Sequence, residues 1–313
     1  MSVQVFFVEF ENEIRKIFDR AKAEADGAAA CTSLELTDQR RGLGEAKADI
    51  YVTPQGIVRV TWCAIASLWA TAQAAARILA RAEKGRMVGH ERLQIASDPE
   101  LVIAMNLLTL CRRLCLDDLP RAEWVNWAPK PDSSSTKASD SGMGNTVFYG
   151  ALAWMIRHEI AHITCRHKVR EHCDGLSITA MEQEADWQAT EWFRGERIAD
   201  AERKPGTPSI GDERELEFRG FVLGIGLIWV AMFESSISHS GADYPSPTNR
   251  LFTCLDQLGL REDSAAAQWL ADFTHAWIDP EAKWAPPGGH RDSMTFLNEG
   301  VFRLQRYLSE SGK

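Results

Sequence analysis

The first apolar cluster, Phe6, Phe7, Phe10, Ile14 and Phe18, recurs at near-helical spacing among charged residues and predicts an amphipathic helix over 3–26. β-Branched residues then concentrate in Asp49-Ile50-Tyr51-Val52-Thr53 and Ile57-Val58-Arg59-Val60-Thr61, on either side of Pro54-Gln55-Gly56. That pattern predicts a hairpin. Helical periodicity returns at 62–84 and 99–116, the second stretch opening with Asp98 as N-cap and Pro99 in the first turn. Residues 129–144, rich in Pro, Ser and Gly, read as a mobile surface loop, with a lid over a site as the functional alternative. Beyond it the pattern is helical almost throughout, at 146–168, 178–194, 213–236, 248–259, 264–278 and 293–310.

This order predicts an α+β fold, mostly helical, with a small N-terminal β-sheet or hairpin. The 313 residues are read as a single domain: helices and hairpin over 1–128, the flexible loop 129–144, a site-bearing core over 145–260, and C-terminal helices over 261–313. The most apolar run, Phe221 to Phe233, has 13 residues. A bilayer span needs about 20, so the run is expected to be a buried core helix. Acidic residues outnumber basic ones 44 to 35, for a formal charge of −9, and no basic run offers a phosphate-binding stripe. Nucleic acid is therefore excluded as the expected partner. Seven scattered cysteines with no Cys-x-x-Cys pair suggest reduced core thiols. The N-terminus has no basic n-region, and Glu9 interrupts its apolar patch, so a cytoplasmic protein without membrane partners is expected.

The chemistry concentrates in Trp154-Met155-Ile156-Arg157-His158-Glu159-Ile160-Ala161-His162-Ile163-Thr164, which contains His-Glu-x-x-His. Two histidines four apart on a helix share a face and can reach one ion at about 2.0–2.1 Å. Glu159 is offset from them, where a general base could touch a water rather than the ion. The pentapeptide arises by chance in about one chain of this composition in a hundred, so its surroundings must decide. Met155, Ile156, Ile160 and Ile163 make a buried helix, and Ala161 is small enough for a second helix to come close. That second helix carries Met181-Glu182-Gln183-Glu184-Ala185-Asp186. His158, His162 and Glu182 complete the three-ligand count of a catalytic zinc, one ion per chain, with Glu184 as rival to Glu182. Asp186, four residues past Glu182, is expected to accept a hydrogen bond from a ligand histidine's other ring nitrogen. His167 and His172 are expected to be surface residues near a helix C-terminus. The extended zinc motif ending in a third histidine is excluded by Cys165 and Lys168.

The pairing of His-Glu-x-x-His with a downstream Glu-x-x-x-Asp helix resembles the gluzincin metallopeptidases. Tyr244-Pro245-Ser246-Pro247-Thr248-Asn249-Arg250-Leu251 looks like the segment that follows the glutamate helix in HtpX-like gluzincins, with Tyr244 where those have histidine. The resemblance thus implies a zincin-like core and an oxyanion stabiliser that is either Tyr244 or His239. Those enzymes carry membrane spans; the length and helical C-terminal half of this chain are more similar to Lit-type phage-exclusion peptidases. That resemblance implies a zinc endopeptidase whose protein substrate is of the elongation factor Tu class, with a phage-derived activator among its partners. Two other functions fit the same residues: a peptidase acting on a repressor in a toxin-antitoxin or stress circuit, and a non-catalytic binding or sensor module.

Overall fold

The computed structural model describes residues 3–25, 27, 29, 31–38, 48–89, 93, 97–116, 128–135, 139–195, 210–234, 245–279 and 292–310. Its helices are α1 (Val3–Phe7), α2 (Glu11–Glu24), α3 (Trp62–Met87), α4 (Pro99–Leu116), α5 (Asp140–Thr164), α6 (His167–Asp174), α7 (Ile178–Gly195), α8 (Ile210–Glu234), α9 (Pro247–Gln257), α10 (Ala265–Ile278) and α11 (Ser293–Glu310). The strands are β1 (Ser33–Thr37), β2 (Ile50–Val52) and β3 (Ile57–Thr61), in the order β1-β3-β2. The fold is α+β and mostly helical, as the periodicity predicts.

The hairpin forms where expected. Thr53 N donates to Ile57 O at 2.9 Å, and Gly56 adopts φ 77°, the left-handed geometry that closes a three-residue loop. β2 and β3 run antiparallel, but β3 also pairs in parallel with β1, a strand beyond the expected hairpin. β3 continues directly into α3, whose N-cap Thr61 accepts a hydrogen bond from Ala64 N at 3.1 Å. The predicted helix 3–26 is broken by a 3₁₀ turn at Val8–Phe10.

α3 and α5 form the centre of the core, with α4, α8 and α10 against α3 and with α2, α7 and the sheet against α5. Two buried tryptophans tie α3 to its neighbours: Trp69 Nε1 donates to Asn145 Oδ1 on α5 and Trp229 Nε1, on α8, donates to Ser67 Oγ, both at 2.9 Å. Burial without such partners would cost each indole its hydrogen bond with water. α3 is long and apolar enough to cross a membrane, yet 89% of its apolar window is buried inside the fold, as in a core helix. α8 is likewise a core helix, as expected of its apolar run.

Of residues 129–144, the described residues 129–135 and 139–144 include the start of a helix as well as loop. α5 already begins at Asp140, capped by Ser139 Oγ accepting from Gly142 N at 3.0 Å. Arg81 Nη1 donates to Asp140 Oδ2 at 2.8 Å, and Asn145 Nδ2 donates to Asp132 O at 2.7 Å, so the segment's described residues are docked on the core. His158 lies 18 residues beyond Asp140, roughly 27 Å along the helix at about 1.5 Å per residue. The described part of this segment is therefore no lid over His158. Gly144 serves close packing instead: a Cβ there would stand 2.4 Å from Gln73 Cδ on α3.

Candidate metal centre

α5 presents His158 and His162 toward α7, which presents Glu182 and Asp186 in return. Ala161, Ala185 and Ala189 are fully buried between them, so the two backbones approach closely. Trp154 Nε1 donates to Thr190 Oγ1 at 3.1 Å and locks the register of the pair. The buried Arg157 guanidinium lies over the Phe193 ring of α7 and donates from Nε and Nη2 to the two Glu24 carboxylate oxygens, both at 2.8 Å, fixing α5 against α2.

Three donors converge. His158 Nε2 is 3.1 Å from His162 Nε2 and 3.3 Å from Glu182 Oε2, and His162 Nε2 is 3.5 Å from Glu182 Oε1. Bonds of about 2.0–2.1 Å to a tetrahedral ion place its ligand atoms about 3.3–3.4 Å apart, close to these separations, with the two histidines approaching different oxygens of the Glu182 carboxylate. His158, His162 and Glu182 together can hold a metal ion.

The partners behind these donors are also defined. His158 Nδ1 sits 2.9 Å from Asp186 Oδ1, a close polar contact rather than a well-aligned hydrogen bond. Arg250, on α9, donates to both Asp186 oxygens, from Nε at 2.8 Å and from Nη2 at 2.9 Å, and its Nη1 is 3.5 Å from Glu182 Oε2. Burial works against a charged His158, yet Asp186 and Glu182 outweigh it and hold its pKa up at about 10. Burial and the neighbouring His158 charge push His162 down to about 3. Burial also opposes ionised Glu182, but His158 and Arg250 keep it a carboxylate, below its ordinary range. Metal binding requires neutral imidazoles: His162 is already in that state, whereas His158 must give up the proton that Asp186 and Glu182 favour, so binding there releases a proton.

Glu159, next to His158 in sequence on α5, is half-buried. Glu184 points away from these donors toward His167 and Arg170, at 3.2 Å and 2.6 Å, so the three-donor group contains Glu182 and not its rival. His172 is exposed as expected, but His167 is not a surface residue. It is buried, with its Nδ1 2.7 Å from His162 Nδ1, because the predicted helix 146–168 ends at Thr164 and Arg166 reverses the chain at φ 55°. The sequence signal for this was weak: nothing local marks a left-handed arginine. Arg250 belongs to the Tyr244–Leu251 segment, where its sequence carried no role, and its bidentate hold on Asp186 is what the fold adds. Tyr244 and His239 lie outside the described residues. Of the seven cysteines none is in a disulfide; Cys63, Cys111, Cys115 and Cys254 are core thiols, whereas Cys31 and Cys173 are exposed.

The fold and this cluster define a helical α+β protein with a His-His-Glu group able to bind metal. The chain belongs to the Peptidase U49 family, which it matches over residues 52–270, a stretch holding all of α3 through α9. It is 33% identical over 72 residues to the cell death peptidase of Escherichia coli (strain K12), an aligned stretch that is 23% of this chain and 23% of that protein. No solved structure matches the chain. Peptidase U49 is, by its description, a family of peptidases.

Proposed function

We propose that this chain is a zinc-dependent endopeptidase that cleaves a bacterial host protein in response to phage infection. The observation that carries the reading is the convergence of His158 Nε2, His162 Nε2 and the Glu182 carboxylate, at separations of 3.1, 3.3 and 3.5 Å, with Glu159 on the same helix. When bound, zinc supplies Lewis acidity that lowers the pKa of water from about 15.7 to about 7 and polarises the scissile carbonyl. Glu159 takes the proton of the attacking water and returns it to the leaving amine. Asp186 orients His158, and Arg250 holds Asp186 in place. Tyr244 donates its hydroxyl to the developing oxyanion, with His239 as its competitor for that role. An edge strand of the small sheet, which packs on α5, can hold an extended peptide by strand addition.

Membership in Peptidase U49 and the likeness to a protein named cell death peptidase support host proteolysis. Elongation factor Tu is the proposed substrate class, by resemblance to Lit-type enzymes. A sensor module has no use for a base beside two ligands, and Glu159 weighs against that reading.

The test has two parts. Metal analysis should find close to one zinc per chain, lost from His162→Ala and Glu182→Ala and retained by Glu159→Gln. Incubation with bacterial lysate, with and without phage peptides, should yield new N-termini that the Glu159→Gln protein does not produce. Wild-type cleavage by Glu159→Gln would defeat the mechanism, and a metal-free wild type would defeat the zinc assignment.

A further inference from the structure

We propose that His167 is a positioning residue for the metal centre, accepting the Nδ1 proton of His162 and so fixing the tautomer that leaves His162 Nε2 free to bind metal. This rests on the ligand roles given above to His158, His162 and Glu182. His162 Nε2 faces His158 Nε2 and Glu182, so a neutral His162 that binds metal there carries its proton on Nδ1. That nitrogen is 2.7 Å from His167 Nδ1. Such a contact accommodates one proton between the rings, not two. His167 Nδ1 is then the acceptor, and its own proton lies on Nε2, 3.2 Å from Glu184 Oε2. Arg170 Nη1 donates to the same carboxylate oxygen at 2.6 Å, which keeps Glu184 an acceptor. The line runs from His162 through His167 to Glu184 and Arg170, as Asp186 and Arg250 stand behind His158.

The backbone is arranged to make this contact. Arg166 is the only non-glycine among the described residues with positive φ, a conformation that persists only where its surroundings hold it. The reversal ends α5, starts α6 and returns a buried His167 against the face of the helix it has just left.

Cys165, His167 and Glu184 also lie close enough together to suggest a second ion, and the proton count decides between the two roles. Metal on His167 Nε2 would move that ring's proton to Nδ1, where it would meet the Nδ1 proton of His162 across 2.7 Å. Occupancy of a second site would therefore oppose occupancy of the first, and Arg170 already holds the Glu184 oxygen nearest His167. This group serves the first centre.

The test is a zinc titration of chelator-stripped protein, read by competition with a chromophoric chelator. His167→Asn keeps an acceptor where Nδ1 stands, whereas His167→Phe keeps the ring's bulk without it. His167→Phe should weaken zinc binding by about 10–100-fold, the usual effect of losing such a partner, and His167→Asn should stay close to wild type. In ¹⁵N-histidine spectra of the zinc-loaded protein, the hydrogen-bonded Nδ1 proton of His162 should be present in wild type and lost in His167→Phe. Wild-type affinity in His167→Phe, equal weakening in both variants, or a second zinc equivalent removed by Cys165→Ala would each overturn the proposal. Failure of the wild type to bind zinc overturns the ligand assignment as well. Zinc loss in His162→Ala with none of these effects in His167→Phe overturns the positioning role alone.

Discussion

Replacing Arg250 with methionine tests how far the candidate centre is held together by one cation. The guanidinium is 6% exposed and makes two hydrogen bonds, of 2.8 and 2.9 Å, to an Asp186 that is 3% exposed, with Glu182 3.5 Å away. At an effective dielectric of about 20, a unit charge about 4 Å from Asp186 contributes roughly 4 kcal/mol. Measured losses on removing one member of a buried pair, about 3–5 kcal/mol, agree with that figure. We therefore expect Arg250→Met to destabilise the chelated protein by about 3–5 kcal/mol, a fall in Tm on the order of 10 °C for a chain of this size. Arg250→Lys should fall between, because an ammonium keeps the charge but cannot grip both oxygens. Adding Asp186→Leu to Arg250→Met should recover part of the loss, since the Asp186 carboxylate is no longer left buried without its cation. The assay is urea or thermal unfolding with chelator and again with zinc, where the ion's charge should reduce the penalty. A loss below about 1 kcal/mol in chelator, the range of a surface ion pair, would mean that Asp186 is solvated or protonated and would refute the reasoning.

Two further outcomes concern parts of the fold remote from the centre. Gly144→Ala would drive a Cβ to within 2.4–2.6 Å of the Gln73 amide, which donates to Ser141 O and accepts from Arg77, so a cost of about 1–3 kcal/mol in urea unfolding is expected, with zinc content unchanged. Equal stability would show that Gln73 swings aside freely. Asp272, on α10, is buried, and burial outweighs the nearby Arg86 to raise its pKa from 3.8 to about 6. Because the folded state then binds the proton more tightly than the unfolded one, its stabilisation is complete below about pH 4 and disappears as pH rises through about 6, worth about 3 kcal/mol at most. Asp272→Asn should therefore flatten the pH dependence of the urea midpoint between pH 4 and 6.5, and an unchanged slope would count against the buried acid.

Local pattern carried the helices and the heart of the candidate centre, because both depend on spacing within a single element. A 3.6-residue repeat puts His158 beside His162 and Glu182 beside Asp186 whatever surrounds them, and the periodicity over 293–310 coincides with α11. Other features depend on what comes to lie opposite. Glu182 and Glu184 are about 200° apart around α7, so helical phase alone cannot say which of them faces α5; close packing through Ala161, Ala185 and Ala189 decides it. Gly144 reads as flexibility in the sequence, yet the missing side chain serves the approach of α3, and a glycine carries no mark of which use applies. β1, with Leu34 and Leu36 alternating with Ser33, Glu35 and Thr37, had a period-two pattern, but a strand paired in parallel with β3 depends on a non-local contact and no hairpin turn announces it. His167 shows the same division: residue spacing set it five positions beyond His162, and only the reversal at Arg166, held by the packed fold, brought the two rings within a hydrogen bond of each other.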